Sequence, residues 1–184
     1  MDSISDLQQR IAQNPQAADV YYNQLGEHYG SQGESGKAIA YFQRAIECNP
    51  LCAVYYTNLG LALSNVGAAD EALRNYNKAL LIVPNRMAYN NRACIYIERG
   101  QYAEAVADIT AALKLRPAPN EVCNKATLYA TRADAYMHME EYRKALDDLQ
   151  HGIACCDPDD DLIGFFDSGI LRCNMRLGIK PCRK

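Results

Sequence analysis

Eight cysteines and three histidines are the side chains of this sequence that could support metal or redox chemistry. Zinc usually takes four thiolate or imidazole ligands, and paired thiols carry redox chemistry. His151 and Cys155 are four residues apart and could begin a zinc site, but two further ligands are not evident. Cys48 and Cys52 lack the C-x-x-C spacing of a metal or redox pair. We therefore expect no metal and no cofactor.

Motifs for other catalytic chemistry are not found either. The sequence has no Gly-rich phosphate loop, no H-E-x-x-H and no G-x-S-x-G, and its histidines are far apart. A net charge of −3 argues against general nucleic-acid binding. No run of 18 apolar residues predicts a membrane span, and the polar first 15 residues do not resemble a secretory signal. These features predict a non-enzymatic cytoplasmic protein with reduced thiols.

A period of about 34 residues organises most of the chain. Pro50 and Pro84 are 34 residues apart, and Pro117 follows 33 residues later. Four blocks with matching residue types start at Asp19, Ala53, Arg86 and Ala126. In each block, large residues at positions 4, 11 and 24 alternate with Gly or Ala at positions 8, 20 and 27. Positions 4, 8 and 11 share one face of a helix, as do positions 20, 24 and 27, which predicts two packed helices per block.

The columns are regular enough to be read residue by residue. Position 4 is Tyr22, Tyr56, Tyr89 and Tyr129, and position 8 is Gly26, Gly60, Ala93 and Ala133. Position 20 is alanine in every block, and position 24 is Phe42, Tyr76, Ile109 and Leu149. Glycines 33, 67 and 100 stand between the two helices, where a tight turn is expected. All 13 tyrosines lie inside the blocks, so the high tyrosine content is a property of the repeat.

This pattern resembles the tetratricopeptide repeat over residues 19–158, with tyrosine at position 4 where that family usually has tryptophan. The resemblance implies an all-α, right-handed α-solenoid of four helix-turn-helix repeats, at residues 19–52, 53–85, 86–119 and 126–158. Residues 1–18 are expected to form an N-terminal capping helix. Residues 159–184 are expected to form a C-terminal capping helix and a basic tail that ends in Lys180, Arg183 and Lys184. Residues 118–125 are an insertion, and the following helix is expected to begin early, near Asn120, unless the insertion is only a tolerated loop.

Repeats 3 and 4 share a paired exchange of residues. Arg92 and Arg132 stand at position 7, where the first two repeats have leucine, and Asp108 and Asp148 stand at position 23. We expect the ion pairs Arg92–Asp108 and Arg132–Asp148 between the two helices of each repeat, the alternative being coincidence on a charged surface.

The repeat register also predicts where the cysteines lie. Cys48 and Cys155 replace aliphatic residues at position 30, and Cys173 lies on an apolar stripe of the last helix, so these three are expected in the core. The cysteines expected to be accessible are Cys52, Cys94, Cys123, Cys156 and Cys182.

In the tetratricopeptide family the first helices of the repeats line a concave groove. The corresponding positions here predict a peptide-binding groove formed by Asn23, Glu27, Val54, Asn58, Leu61, Met87, Asn90, Asn91, Cys94, Thr131 and Asp134. The family's carboxylate clamp for chaperone tails needs lysine and arginine in this groove. Of the clamp positions only Asn58 matches, or only Asn91 if the frame is moved by one repeat, so we expect no clamp.

The asparagines suggest a different form of recognition. An Asn amide can donate to and accept from a peptide backbone, so Asn58 and Asn91 on successive repeats resemble the asparagine ladder of some long repeat arrays. The alternative is that they only solvate an exposed face. The resemblance as a whole implies a protein–protein interaction scaffold or adaptor that holds a peptide or partner segment. The alternatives are a structural protein that self-associates as a homodimer through its caps, burying Phe165 or Phe166, and a metal- or redox-linked module.

Overall fold

The computed structural model describes residues 3–116, 123–157 and 160–179. Within these ranges all the regular elements are helical and no β-strand occurs, so the fold is all-α. The chain divides into two compact units, Met1–Pro84 and Asn85–Lys184.

The first unit consists of a leading helix and two helix hairpins. Its helices are α1 (Ile4–Gln13), α2 (Ala18–Ser31), α3 (Ser35–Cys48), α4 (Ala53–Asn65) and α5 (Ala69–Ile82), with a short 3₁₀ turn at Pro15–Ala17. Ser3 and Asp6 form a capping box that begins α1, which packs against α2 through the buried Leu7. Helices α2 and α3 form one hairpin, α4 and α5 form the next, and α3 packs against α4.

The second unit has two hairpins followed by a last helix. Its helices are α6 (Arg86–Glu98), α7 (Tyr102–Lys114), α8 (Lys125–His138), α9 (Tyr142–Ile153) and α10 (Leu162–Leu177). Asn85 and Asn124 cap α6 and α8, since each side chain accepts from the backbone N–H three residues later. Helix α7 packs against α8, and α10 packs against α9 and α8.

Each hairpin turns through one residue with a left-handed backbone. Gly33, Gly67 and Gly100 have φ of 76°, 78° and 72°, and the residue after each donates to a carbonyl five residues earlier, closing the first helix. In the last hairpin this place is taken by Glu140, with φ of 59°. A side chain with a Cβ is disfavoured in this conformation, so the fourth turn is strained where the other three are not.

The two helices of a hairpin fit together by complementary size. The ring of Phe42 lies over Gly26 and that of Tyr76 over Gly60, so closely that a Cβ on either glycine would be within 2.6 Å of the ring. Repeats 3 and 4 have alanine at position 8 and the smaller Ile109 and Leu149 at position 24, all buried. The same fit of a ring against a glycine joins the last helix to its neighbour, since Phe166 of α10 packs against Gly152 of α9.

The space between the tyrosines of positions 4 and 11 is filled by different side chains in different hairpins. In α2 and α3, Tyr41 stacks on Tyr22 and Tyr29, with ring centroids 6.4 and 5.4 Å apart. In repeat 3, the Arg92 guanidinium carbon takes this place, 5.7 Å from the centroid of the Tyr89 ring and 5.9 Å from that of the Tyr96 ring. The tyrosines at positions 4 and 11 can therefore pack against either an aromatic ring or a guanidinium group.

Both expected ion pairs are confirmed. Arg92 donates to Asp108 through Nε at 2.7 Å and through a terminal nitrogen at 2.6 Å. Arg132 makes the same two bonds to Asp148, both at 2.7 Å, and a third to the Thr110 hydroxyl at 3.0 Å. These hydrogen bonds outweigh the desolvation of the guanidinium groups and raise the pKa of both arginines.

Three cysteine predictions are wrong. Cys48 and Cys155 are exposed, because Cys48 is the last residue of α3 and Cys155 lies beyond the end of α9. Cys123, expected at the surface, is buried in the core with Leu128 and Ile109. Cys173 is buried as expected, Cys94 is exposed, and Cys52 and Cys156 are half-buried.

The proposed use of Phe166 in self-association is also wrong, since its side chain is fully buried within the second unit. Helix α8 begins at Lys125 after its Asn124 cap, so the expected start of this helix near Asn120 is wrong. Asn120, Pro117, Pro158, Cys182 and the basic tail residues Lys180, Arg183 and Lys184 lie outside the described residues. The assignment of α1 and α10 as end caps, the repeat boundaries and the insertion stay predictions.

Candidate functional site

In the first unit, three of the predicted groove residues form one hydrogen-bonded cluster. Asn23 and Glu27 are one turn apart on α2, and Asn58 is on α4. The Asn58 amide nitrogen donates to Asn23 Oδ1 at 2.9 Å and to Glu27 Oε1 at 3.1 Å. The Asn23 amide nitrogen also donates to Glu27 Oε1, at 2.9 Å. We call this set the Asn23–Glu27–Asn58 cluster.

The cluster uses both donors of the Asn58 amide. Both N–H bonds of the Asn58 amide point to partners within the unit, and Asn23 is buried. What remains is a set of acceptors, Asn58 Oδ1 and Glu27 Oε2, neither of which receives a hydrogen bond from the described residues. The amide of Asn58 is therefore not the two-way peptide contact that a ladder requires.

Beside the cluster is a pocket of about 310 Å³. Its polar lining is Glu27, Ser31, Ser35, Asn58 and Asn65, and its apolar lining is Gly30, Phe42, Leu61 and Ala62. Val54 and Leu61 of α4 are 54% and 41% exposed, so the surface next to the pocket is apolar. Sequence reasoning missed the contribution of α3 through Ser35 and Phe42. The available signal was Gly26 with Gly30 one turn later, two small residues that let side chains of α3 approach α2 closely.

The second unit repeats part of this arrangement with different residues. The Thr131 hydroxyl of α8 is 2.9 Å from Asn90 Oδ1 and 3.0 Å from the Thr127 carbonyl, and it can donate to either. Asn90 is buried at position 5, as Asn23 is in the first unit. In both units a residue at position 6 thus bonds to an asparagine at position 5 of the preceding repeat. Asn91 and Met87 are half-buried neighbours on α6.

Acidic groups surround the exposed Cys94 of the second unit. Desolvation by the surrounding protein raises the pKa of the Cys94 thiol, and the Glu98 and Asp134 carboxylates raise it further. Asp134 Oδ1 is 3.7 Å from His138 Nε2, and the His138 ring stacks on Tyr102 with centroids 5.0 Å apart. A thiol with a raised pKa is a poor nucleophile, which does not favour a catalytic role for Cys94.

Positive charge is scarce on the first helices of both units. Helices α2 and α4 contain no lysine or arginine. In α6 and α8, Arg92 and Arg132 are paired with aspartates, and the buried Arg86 donates to the Leu115 carbonyl at 2.6 Å. The arginines of α6 and α8 are thus engaged within the second unit, whereas Lys125 at the start of α8 is exposed.

A half-buried carboxylate on α2 illustrates how the other charges are satisfied. Asp19 accepts from the Tyr55 hydroxyl at 2.9 Å and from the Asn49 amide at 3.1 Å. Burial by itself would raise the pKa of Asp19, but these hydrogen bonds outweigh it and lower the pKa below its usual value. Burial and the bond to Asp19 raise the pKa of Tyr55. This contact joins α2 to α4 and stabilises the surface that carries the cluster.

No three His, Cys, Asp or Glu side chains of the described ranges come together as ligands. None of the described helices combines the length and the apolar character needed to cross a bilayer.

Comparison with known proteins adds independent information. Two family models of the tetratricopeptide repeat match residues 23–90 and 87–119. The peroxisomal targeting signal receptor of Kluyveromyces lactis is 33% identical over 97 residues, covering 52% of this chain and 17% of that protein. The small glutamine-rich tetratricopeptide repeat-containing protein 2 of Mycosarcoma maydis is 33% identical over 96 residues, covering 52% and 27%. The matched stretch is thus at most about a quarter of either relative's length.

Solved structures show the same fold at lower identity. MamA from Desulfovibrio magneticus RS-1 (residues 41 to the end) superposes with a TM-score of 0.72 at 20% identity, covering 88% of this chain and 86% of that one. Pseudomonas aeruginosa pilF superposes with a TM-score of 0.75 at 17% identity, covering 87% and 69%. At this identity the likeness describes the fold, an all-α solenoid of helix hairpins.

Proposed function

Because this chain belongs to the tetratricopeptide repeat family, we propose that it is a non-catalytic protein-interaction scaffold that binds an extended segment of a partner protein on its first helices. The observation that carries the proposal is the surface of α4, where Val54 and Leu61 are exposed beside the pocket and the Asn23–Glu27–Asn58 cluster. Apolar side chains next to ordered polar groups are what a peptide needs for both affinity and orientation.

The comparisons support binding of a segment of a partner. One matched relative is, by its name, a receptor for a targeting signal. The tetratricopeptide family models, which match residues 23–90 and 87–119, cover the hairpins that carry the cluster and part of the second unit. In the second unit, taken by itself, we propose Met87, Asn91, Cys94 and Asp134 as partner contacts.

A displayed library of random dodecapeptides, selected against the immobilised full chain, tests this function. The key variant is Val54→Ser with Leu61→Ser. About half of each side chain is buried on binding, which contributes about 1 kcal/mol per residue, so the double variant should weaken selected peptides about thirtyfold. The control is Leu81→Ser with Val83→Ser, the same change at two apolar residues at the end of α5 that are at least as exposed as Val54 and Leu61. Failure to select any peptide, or equal loss in both variants, would contradict the proposal.

A second candidate is self-association through α10. Leu171 and Met175 are one turn apart and exposed, and Phe165 is partly exposed on the same helix. Light scattering over a wide concentration range tests it: Met175→Glu should abolish any concentration-dependent increase in mass. A constant monomer mass for the unmodified chain would exclude this function and leave the peptide-binding proposal untouched.

A further inference from the structure

The pocket beside Glu27 has a lining with one sign of charge. Among the described residues that line it, Glu27 is the one charged side chain. Helices α2 and α4 bring no cation, and Asp19, their other acid, is already held by Tyr55 and Asn49. The Glu27 carboxylate is therefore not neutralised by the first helices of its unit.

The two amides of the cluster orient this carboxylate and leave it as an acceptor. Asn23 and Asn58 both donate to Glu27 Oε1, which restrains the side chain and leaves Oε2 without a hydrogen bond from any described residue. Asn58 presents its Oδ1 on the same cluster, because both of its N–H bonds are used. A ligand group that satisfies these oxygens must carry several N–H donors, as ammonium and guanidinium groups do.

The volume and apolar lining restrict the ligand group further. A volume of about 310 Å³ is at the lower end of ligand pockets, which suits a single long side chain. Phe42, Leu61 and Ala62 supply apolar surface beside the carboxylate. Lysine and arginine combine an aliphatic stem with a charged head, so they can contact both parts of this lining.

From these observations we propose that the pocket beside Glu27 receives a lysine or arginine side chain of the bound partner segment, with the cation on Glu27 and Asn58 and the stem on Leu61 and Phe42. The inference rests on the proposed function and specifies its ligand. An acidic residue in this pocket would face Glu27 without a cation, and an apolar residue would remove water from the carboxylate without replacing its hydrogen bonds. Partner segments with an acidic or an apolar residue at this place should therefore bind more weakly than segments with lysine or arginine.

Binding of fixed-residue peptide mixtures tests the inference. Five mixtures of dodecapeptides, N-acetylated and C-amidated, are randomised except for one central residue: Lys, Arg, Gln, Asp or Leu. The blocked ends remove the terminal amine as a second source of positive charge. With the full chain we expect the Lys or Arg mixture to be retained at least about fivefold over the Gln mixture, and the Asp mixture to be retained least.

The decisive variant is Glu27→Gln, which keeps an oxygen that can accept from Asn23 and Asn58 and so should preserve the cluster. It should remove the preference for Lys or Arg and weaken binding of those mixtures about tenfold. Glu47→Gln makes the same change on the exposed surface of α3 and should leave the preference intact.

The outcomes separate the two proposals. Equal retention of all mixtures, still sensitive to Val54→Ser with Leu61→Ser, would overturn the inference and leave the peptide-binding function standing. A preference for Asp or Leu, or a Lys preference that survives Glu27→Gln, would also overturn it. Retention of no mixture would overturn the peptide-binding function itself.

Discussion

The Arg132–Asp148 pair allows a quantitative test of what holds the last hairpin together. The Arg132 guanidinium makes two bonds to Asp148 and one to Thr110, with side-chain exposures of 18% for Arg132 and 3% for Asp148. Removing one member of a buried ion pair costs about 3–5 kcal/mol because the other charge is left without its partner. Arg132 can partly rehydrate but Asp148 cannot, so Arg132→Leu should be the more damaging single change.

The matching double variant is already present in repeat 2, which has Leu59 at position 7 and Asn75 at position 23. Leu59 is buried, and the Asn75 amide donates to the carbonyl of Glu71 one turn earlier at 2.8 Å. Arg132→Leu with Asp148→Asn should therefore form a satisfied pair. We expect losses in unfolding free energy of about 4 kcal/mol for Arg132→Leu and about 2 kcal/mol for Asp148→Asn. The double variant should lose no more than about 2 kcal/mol, so the coupling energy is at least about 4 kcal/mol.

Urea unfolding followed by helical circular dichroism at constant pH and salt gives these free energies. The exposed Lys37–Glu34 pair is the comparison, and its double-mutant cycle should give a coupling of about 0.5 kcal/mol or less. If the Arg132–Asp148 coupling were as small as that of Lys37–Glu34, the reasoning from burial and bidentate geometry would be refuted.

Three further predictions concern packing, backbone strain and pH. Gly26→Ala should destabilise the first unit by about 1–3 kcal/mol, because the new Cβ would meet the Phe42 ring. Gly36→Ala, at a helical position with nothing close to the new Cβ, should instead stabilise the unit by about 0.5–1 kcal/mol. Urea midpoints of the two variants that move in the same direction would contradict this prediction. Glu140→Gly should raise stability by about 1 kcal/mol because it relieves the left-handed backbone of the fourth turn, and an unchanged or lower melting temperature would count against it. The lowered pKa of Asp19 stabilises the fold above the ordinary value of 3.8, and this contribution is lost as pH falls through the folded-state pKa. The difference in unfolding free energy between the unmodified chain and Asp19→Asn should therefore be constant near neutral pH and shrink below about pH 4, and a difference that grows on acidification would reverse the assigned sign.

The repeated helix hairpins and their internal contacts are determined by the sequence alone. The exchange at positions 7 and 23 predicts Arg92–Asp108 and Arg132–Asp148 because both partners belong to one hairpin, and a repeat places them in a constant geometry. The match of glycine with Phe42 or Tyr76, and of alanine with Ile109 or Leu149, can likewise be read from the columns.

Only the tertiary structure decides how the groove asparagines are used. Asn58 looks like a free amide in the sequence, but packing of α4 against α2 commits both of its N–H bonds to Asn23 and Glu27. These partners are more than 30 residues away, and the direction of an amide depends on which acceptors the neighbouring helix presents. The exposed Cys48 and the fully buried Phe166 have a similar origin, since a residue's burial depends on where its helix ends and on what packs over it. Periodicity determines which residues share a face, whereas the contacts between helices determine which hydrogen-bonding atoms remain available to a ligand.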